Sequence, residues 1–267
     1  MVNDGSTDNT ERYCVAAAEA HHEVKFISLR RNFGEHNAVI CGLNHCSGDW
    51  VAIIDDDFQN PITEIKKLLA AAPGFDVVYS HYHNKRHHWF RNLGSRFNDW
   101  VANLLLEKPK GLYLSSFKLI SKPIVEEIIK YKGPFPYIDG LILRTTHNVT
   151  SVEVHHASRE KGASNYTFGK LLALWLNMFI NFSIKPMRIM SMVGLVLALF
   201  SLAFGLYAMV EKWLNPSIPV GWTSLIVSLF FLLGLQFIFL GLIGEYLGKL
   251  YLTQNGTPQW VIKTKKP

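Results

Sequence analysis

Cysteine is scarce in this chain, with three (Cys14, Cys41, Cys46) among 267 residues. Three thiols build no disulfide framework of the kind that staples small secreted domains, and their scarcity fits a reducing compartment. No secretory signal precedes the polar N-terminal part. Internal repeats and low-complexity stretches are also missing. Charge is sparse, at 18% charged against 49% apolar residues, and the shortage is local. No charged residue occurs from Ile189 to Val210, and none from Val220 to Gly244. Each run exceeds the roughly 20 residues that cross a hydrocarbon core about 30 Å thick, so both read as transmembrane helices. The competing reading is a core hairpin of a soluble protein. Runs without intramembrane charge argue against a transporter or channel.

What is present is an excess of positive charge: 27 Lys and Arg against 21 Asp and Glu, a formal net charge of +6. Beside a membrane anchor, anionic lipids and phosphates explain this more simply than nucleic acid does. Lys185 and Arg188 precede the first run, Lys249, Lys263, Lys265 and Lys266 follow the second, and the connecting loop holds only Glu211 and Lys212. The positive-inside rule then puts both flanks and the long N-terminal part in the cytoplasm, as a multi-pass protein of the cytoplasmic (inner) membrane.

The N-terminal part has a strand–helix rhythm. Val24–Leu29 and Trp50–Ile54 read as strands, the stretch after Gly34 through Cys46 as a helix, and Asp76–Tyr79 as another short strand. Asn60 and Pro61 read as helix N-cap and first-turn proline ahead of Ile65, Leu68 and Leu69. This alternation predicts an α/β, Rossmann-like domain with a mainly parallel sheet over residues 1–167. Ligands of such sheets lie beyond the carboxyl ends of the strands. Val2 runs straight into Asn3-Asp4-Gly5-Ser6-Thr7-Asp8, which leaves almost no strand ahead of that loop and reads as an N-terminal truncation. Residues 168–188, rich in Leu, Trp and Phe, read as interfacial amphipathic helices, with a core helix as the alternative. Residues 189–246 make the two-helix anchor and 247–267 a cytoplasmic tail.

Asp55-Asp56-Asp57 is the sharpest chemical feature. Three adjacent carboxylates repel one another unless a cation joins them. Along extended chain, residues i and i+2 point the same way, so Asp55 and Asp57 share a side that Asp56 does not. Two hard oxygen donors suit Mg²⁺ or Mn²⁺, which keep positions for water and phosphate. A solvated acidic turn is the bland alternative. In the Val2–Asp8 loop, Asp4 is placed to accept hydrogen bonds from a ribose or base. Asp8 reads as a helix N-cap with Glu11 completing a capping box.

These two loops together resemble the family-two glycosyltransferases of the GT-A fold. The order Arg31-Asn32-Phe33-Gly34, then Asp55–Pro61 (DDDFQNP), then His156-x-x-Arg159-x-x-Gly162-x-Ser164-x-Tyr166, then two spans, resembles the polyprenyl-phosphate branch, which includes dolichol-phosphate mannose synthase, bactoprenol glucosyltransferase and the undecaprenyl-phosphate aminoarabinose transferase. The resemblance implies that Asp55, Asp57 and Gln59 hold metal and diphosphate and that Asp4 contacts the nucleoside. It implies that Arg159 and Ser164 reach phosphates, although Arg159 reads equally as a surface arginine. Arg91 and Arg96, in a basic stretch from Lys85, read as holding the lipid phosphate or as a membrane-surface patch. Departures are an absent first strand and helix, no acid within Gly111–Ser116, and Asn165 where the family often has lysine.

The expected reaction is metal-dependent, inverting transfer of a sugar from a nucleotide-diphosphate sugar, a UDP-sugar by preference, to a polyprenyl phosphate of the undecaprenyl type at the cytoplasmic face. Asp139 reads as the general base, if one is used, or as the cap of the following helix. The expected partners are the donor, the lipid phosphate and the bilayer, with a homo-oligomer compatible and no nucleic acid. A different lipid or glycan acceptor, or a non-catalytic truncated homologue, are the competing functions.

Overall fold

A computed structural model of the chain describes residues 1–82, 108–109, 111–155, 157, 185–215 and 221–266. Two units divide it. Met1–Trp175 and Leu252–Pro267 form the first, and Leu176–Tyr251 the second.

The first unit carries two sheets among its described residues. One has the order β1 (Val2–Asn3), β2 (Phe26–Leu29), β7 (Ile262–Lys266). The other runs β3 (Trp50–Ile53), β5 (Lys118–Ser121), β4 (Val77–His81), β6 (Val149–Glu153). The α/β expectation holds, but the sheets are mixed where a mainly parallel sheet was expected. β1–β2 and β4–β6 are parallel, while β2–β7, β3–β5 and β4–β5 are antiparallel. The causes are β5, which enters between β3 and β4 and runs against both, and β7, which runs against β2.

The helices α1 (Thr10–Ala20), α2 (Glu35–Leu43), α3 (Ile65–Ala70), α4 (Lys122–Ile128) and α5 (Ile138–Thr145) complete the unit. Strands β2, β4 and β5 are almost wholly buried, as apolar runs between covering layers should be. One core joins Leu68, Ala72, Val78, Phe117, Leu119 and Val154. A second joins Ile27, Leu29, Ala38 and Cys41, with Val2, Phe33, Trp260 and Ile262 against it. Two local expectations are corrected. Asn60 does not cap a helix: Pro61 leads into a short 3-10 turn, Ile62–Glu64, with no side-chain cap, and the buried Asn60 Oδ1 accepts a hydrogen bond from the Tyr82 hydroxyl at 2.9 Å. The capping box at α1 does not form. Asp8 accepts the Thr10 N–H at 3.0 Å, the N-cap position falls on Asn9 without a side-chain bond, and Glu11 pairs with Lys263 at 2.8 Å.

That pairing belongs to the least expected element. The stretch set apart as a tail returns to the first unit as β7. Its Lys266 bonds Glu19 at 2.9 Å, Arg30 N–H donates to Val261 O at 2.9 Å, and the buried Gln259 donates to the carbonyls of Tyr131 and Gly133. Alternation in Ile262-Lys-Thr-Lys-Lys266 turns Ile262 and Thr264 inward and Lys263 and Lys265 to solvent. Exposed lysines on an edge strand also discourage pairing with other chains.

The second unit contains α6 (Lys185–Leu214) and α7 (Trp222–Gln254). Met187–Leu214 and Ser228–Gln254 are long and apolar enough to cross a membrane, with mean hydropathy 2.4 and 1.9. At 1.5 Å per residue each extends about 40 Å. None of either apolar window is buried in the protein, and Phe200, Leu206, Phe231 and Phe237 are exposed. Such surfaces suit lipid and not the interior of a soluble hairpin.

Removing residues 258–267 uncovers the β2 edge and the side of the core that Trp260 and Ile262 cover. Each apolar side chain so exposed costs about 1.5–3 kcal/mol. Chemical denaturation of the truncated chain in detergent is expected to show a first unit less stable by about 3 kcal/mol or more.

Candidate active site

The acidic triplet leaves the end of β3. In the β3–β5 register, Ile53 faces Lys118, and two further steps bring Asp55 opposite Ser116. The Ser116 hydroxyl donates to Asp55 Oδ2 at 2.5 Å. Asp57 Oδ1 accepts the Gln59 N–H at 3.1 Å. This tight turn needs Phe58 in the left-handed region, at φ +57°, and leaves its ring 87% exposed. A bulky residue held there stores strain of the kind that gathers at functional sites. Downstream, Gln59 O accepts the Ala157 N–H at 2.9 Å, and the Asn60 bond to Tyr82 fixes the loop's exit.

Asp55 and Asp57 are half-buried and Asp56 is exposed, in keeping with the expected alternation. Among the described residues no three His, Cys, Asp or Glu side chains gather as a metal cluster. Asp55 Oδ1 and Asp57 Oδ2 take no hydrogen bond among the described residues. Two hard oxygen donors with coordination positions to spare fit Mg²⁺ or Mn²⁺, which bind through one or two carboxylates plus water and substrate phosphate.

The Asp4 loop interlocks with the Arg31–Gly34 loop. Asp4 Oδ1 accepts the Phe33 N–H at 2.7 Å and Oδ2 the Gly34 N–H at 2.8 Å. A contact from Asp4 to a nucleoside would use the lone pairs these bonds leave. Gly5 (φ +68°) lies against the other loop so closely that an added Cβ would stand 2.5 Å from the Arg31 carbonyl carbon. Asn3 is buried and bonds Ser28 Oγ at 3.2 Å. Asn37 donates to Phe33 O and Pro134 O, which anchors α2 behind the loop.

Beneath the triplet lies a buried ion pair that the sequence reading missed. Lys118 Nζ bonds Asp139 Oδ1, with side chains 4% and 11% exposed. The Tyr79 hydroxyl donates to the same carboxylate at 3.0 Å, and the ammonium stands 5.1 Å from the Tyr79 ring centroid. Burial, then the Asp139 charge, pushes the Tyr79 and Tyr137 phenols well above the ordinary tyrosine range. His36 packs edge-on to Tyr137 at 5.1 Å, and burial lowers its pKa. Glu35 is solvent-exposed yet hemmed in by protein. That desolvation, followed by the charge of Asp55, raises its carboxyl pKa. Asp139 is therefore not a helix cap. The N-cap position of α5 is Tyr137, and Asp139 points inward from the first turn. Arg91, Arg96, Arg159 and Ser164 lie outside the described residues, as do residues 168–184.

Two outcomes follow from this packing. Gly5→Ala forces the two loops apart and is expected to cost about 2 kcal/mol or more, read as a fall in melting temperature. Lys118→Ala strands a buried carboxylate and should cost about 3–5 kcal/mol, as should Asp139→Ala. In a double-mutant cycle by denaturant unfolding the pair should couple by at least about 1 kcal/mol.

The sequence profile described as Glycosyl transferase family 2 matches residues 1–129, and that of the GtrB C-terminal hairpin matches residues 185–250. Similar proteins include the undecaprenyl-phosphate 4-deoxy-4-formamido-L-arabinose transferase of Proteus mirabilis (strain HI4320), 32% identical over 276 residues, covering 100% of this chain and 84% of that one. The protein of the same name from Salmonella paratyphi B is 32% identical over 98% of this chain and 82% of its own. Among solved structures, glucosyl-3-phosphoglycerate synthase from Mycobacterium tuberculosis in complex with phosphoglyceric acid is 22% identical, with a TM-score of 0.47 over 66% of this chain and 63% of that one. The chain belongs to glycosyl transferase family 2, in its polyprenyl-phosphate branch, and is a glycosyltransferase.

Proposed function

We propose that the protein transfers a sugar from a UDP-sugar to a polyprenyl phosphate of the undecaprenyl type, with inversion, at the cytoplasmic face of the cytoplasmic membrane. The observation that carries this reading is a pair of oxygens, Asp55 Oδ1 and Asp57 Oδ2, unengaged among the described residues at the carboxyl end of β3, in a chain alike over its full length to transferases named for undecaprenyl phosphate. Asp55 and Asp57 would hold Mg²⁺ or Mn²⁺, which supplies positive charge for the departing diphosphate. Gln59 is assigned to the same donor side and Asp4 to the nucleoside. Arg159 and Ser164 are assigned to the donor phosphates, and Arg91 and Arg96 to the acceptor phosphate.

An acceptor phosphate oxygen attacks the anomeric carbon as the bond from that carbon to the nucleoside diphosphate breaks on the opposite side. The products are a polyprenyl-phosphate sugar and the nucleoside diphosphate. The attacking oxygen is already ionised at neutral pH, so the reaction needs positioning and charge more than proton removal. Asp139 can act as a base only if Lys118 releases it. We therefore assign Asp139 to holding Lys118, with proton removal as its secondary role.

Chain topology supports the membrane arrangement. The stretches on either side of the second unit, Met1–Trp175 and Leu252–Pro267, belong to one unit, and β7 hydrogen-bonds β2. Two crossings, one by α6 and one by α7, would return the chain to the side it started from. The basic residues Lys185, Arg188 and Lys249 around the spans favour the cytoplasm as that side.

The test is incubation of the full-length protein in membranes with a panel of labelled UDP- and GDP-sugars and undecaprenyl phosphate. Label should enter the lipid fraction with a UDP-sugar, disappear on EDTA treatment and return with Mg²⁺ or Mn²⁺. Asp57→Ala should lower the rate by about 100-fold or more. Absence of lipid-linked label with every donor would overturn the proposal.

A further inference from the structure

We infer that Ser116 is a positioning residue for the cation site, its hydroxyl holding Asp55 by one oxygen so that the other faces the donor. The inference rests on the metal-dependent reading above and assigns a role to a residue outside the acidic motif.

Three facts converge on it. The β3–β5 register, carried past Ile53 and Lys118, sets Asp55 across from Ser116, and the bond forms at 2.5 Å. The neighbouring Ser115 is buried, bonded to Ser80 Oγ at 2.8 Å and to Phe117 O at 2.6 Å. Ser116, at a bend and only partly buried, instead turns its hydroxyl to Asp55 of the acidic loop. Finally, Asp55 has like charges close by: Asp56 and Asp57 adjoin it, and it acts on Glu35 as a like charge. A carboxylate so placed tends to swing into water.

A hydroxyl is suited to restrain it. A lysine or arginine would neutralise Asp55 and compete with a cation, and an acid at 116 would repel it. A neutral donor fixes the rotamer and leaves the charge available, as outer partners of metal ligands do elsewhere. Asp57 is held in the same manner, by a neutral backbone N–H at 3.1 Å. Each aspartate thus has one restrained oxygen and one unengaged oxygen among the described residues.

The experiment measures Mn²⁺ binding to the detergent-purified full-length protein, with and without UDP, by the loss of the free Mn²⁺ electron paramagnetic resonance signal. Wild type, Ser116→Ala, Ser116→Thr and Asp57→Ala are compared. Ser116→Ala should bind Mn²⁺ in the presence of UDP about tenfold more weakly, the scale of one hydrogen bond to a charged group. Ser116→Thr keeps the hydroxyl and should stay within about twofold of wild type. Melting temperatures without metal should agree among wild type and the two Ser116 variants. Wild-type affinity in Ser116→Ala, or equal weakening in Ser116→Thr, overturns the inference while Asp57→Ala still reports on the site. A metal-free melting temperature lowered by alanine and not restored by threonine assigns Ser116 a purely structural role and also overturns it. Failure of the wild type to bind Mn²⁺ with UDP overturns the metal-dependent reading itself, and this inference with it.

Discussion

One ammonium group organises the catalytic unit. Lys118 sits in β5, opposite Ile53 of β3 and Tyr79 of β4, and its charge is buried against Asp139 of α5. The fields of this pair reach Glu35 and His36 at the start of α2. Removing two ions from water costs several kcal/mol each, and their attraction offsets this only in good geometry with further hydrogen bonds. Tyr79 provides one such bond through its hydroxyl and a polarisable ring face beside the ammonium. Strands β3, β4 and β5 and helix α5 are thus obliged to meet in one register, and that register carries the acidic loop.

Above this base the Asp4 and Asp55–Asn60 loops are held for different reasons. The Asp4 loop is fixed by backbone N–H groups from Phe33 and Gly34 and by a glycine contact with no room for a side chain. The Asp55–Asn60 loop is fixed by a serine, a left-handed phenylalanine and the Tyr82 hydroxyl. Both follow strands of buried or half-buried residues. Loops held in this way have little freedom left to lose when a ligand binds.

The parts legible in the sequence were those written in short runs. Apolar stretches ending in acids marked β3 and its loop, and the two uncharged runs marked α6 and α7. Local spacing misled where a distant partner won. Glu11 has capping-box spacing from Asp8, yet it bonds Lys263, 252 positions away. Asn60 has the place of an N-cap, yet its side chain turns inward to Tyr82. Lys118 was silent because a lysine in a four-residue strand reads as solvent-facing, and its burial depends on Asp139. Ser116 was silent because its bond to Asp55 spans 61 positions and follows only from an antiparallel register. β7 was hidden by composition, since three lysines in five residues read as a basic tail.

The place of β7 in chain order has a consequence for biogenesis. A ribosome releases this strand after both long apolar helices, so the sheet of β1 and β2 stays incomplete throughout their synthesis. Domains otherwise tend to form as they emerge, N-terminal parts first. Here the β1–β2 sheet is completed only after both long apolar helices have been made, and a chain cut short before Ile262 is left with an open strand edge at β2.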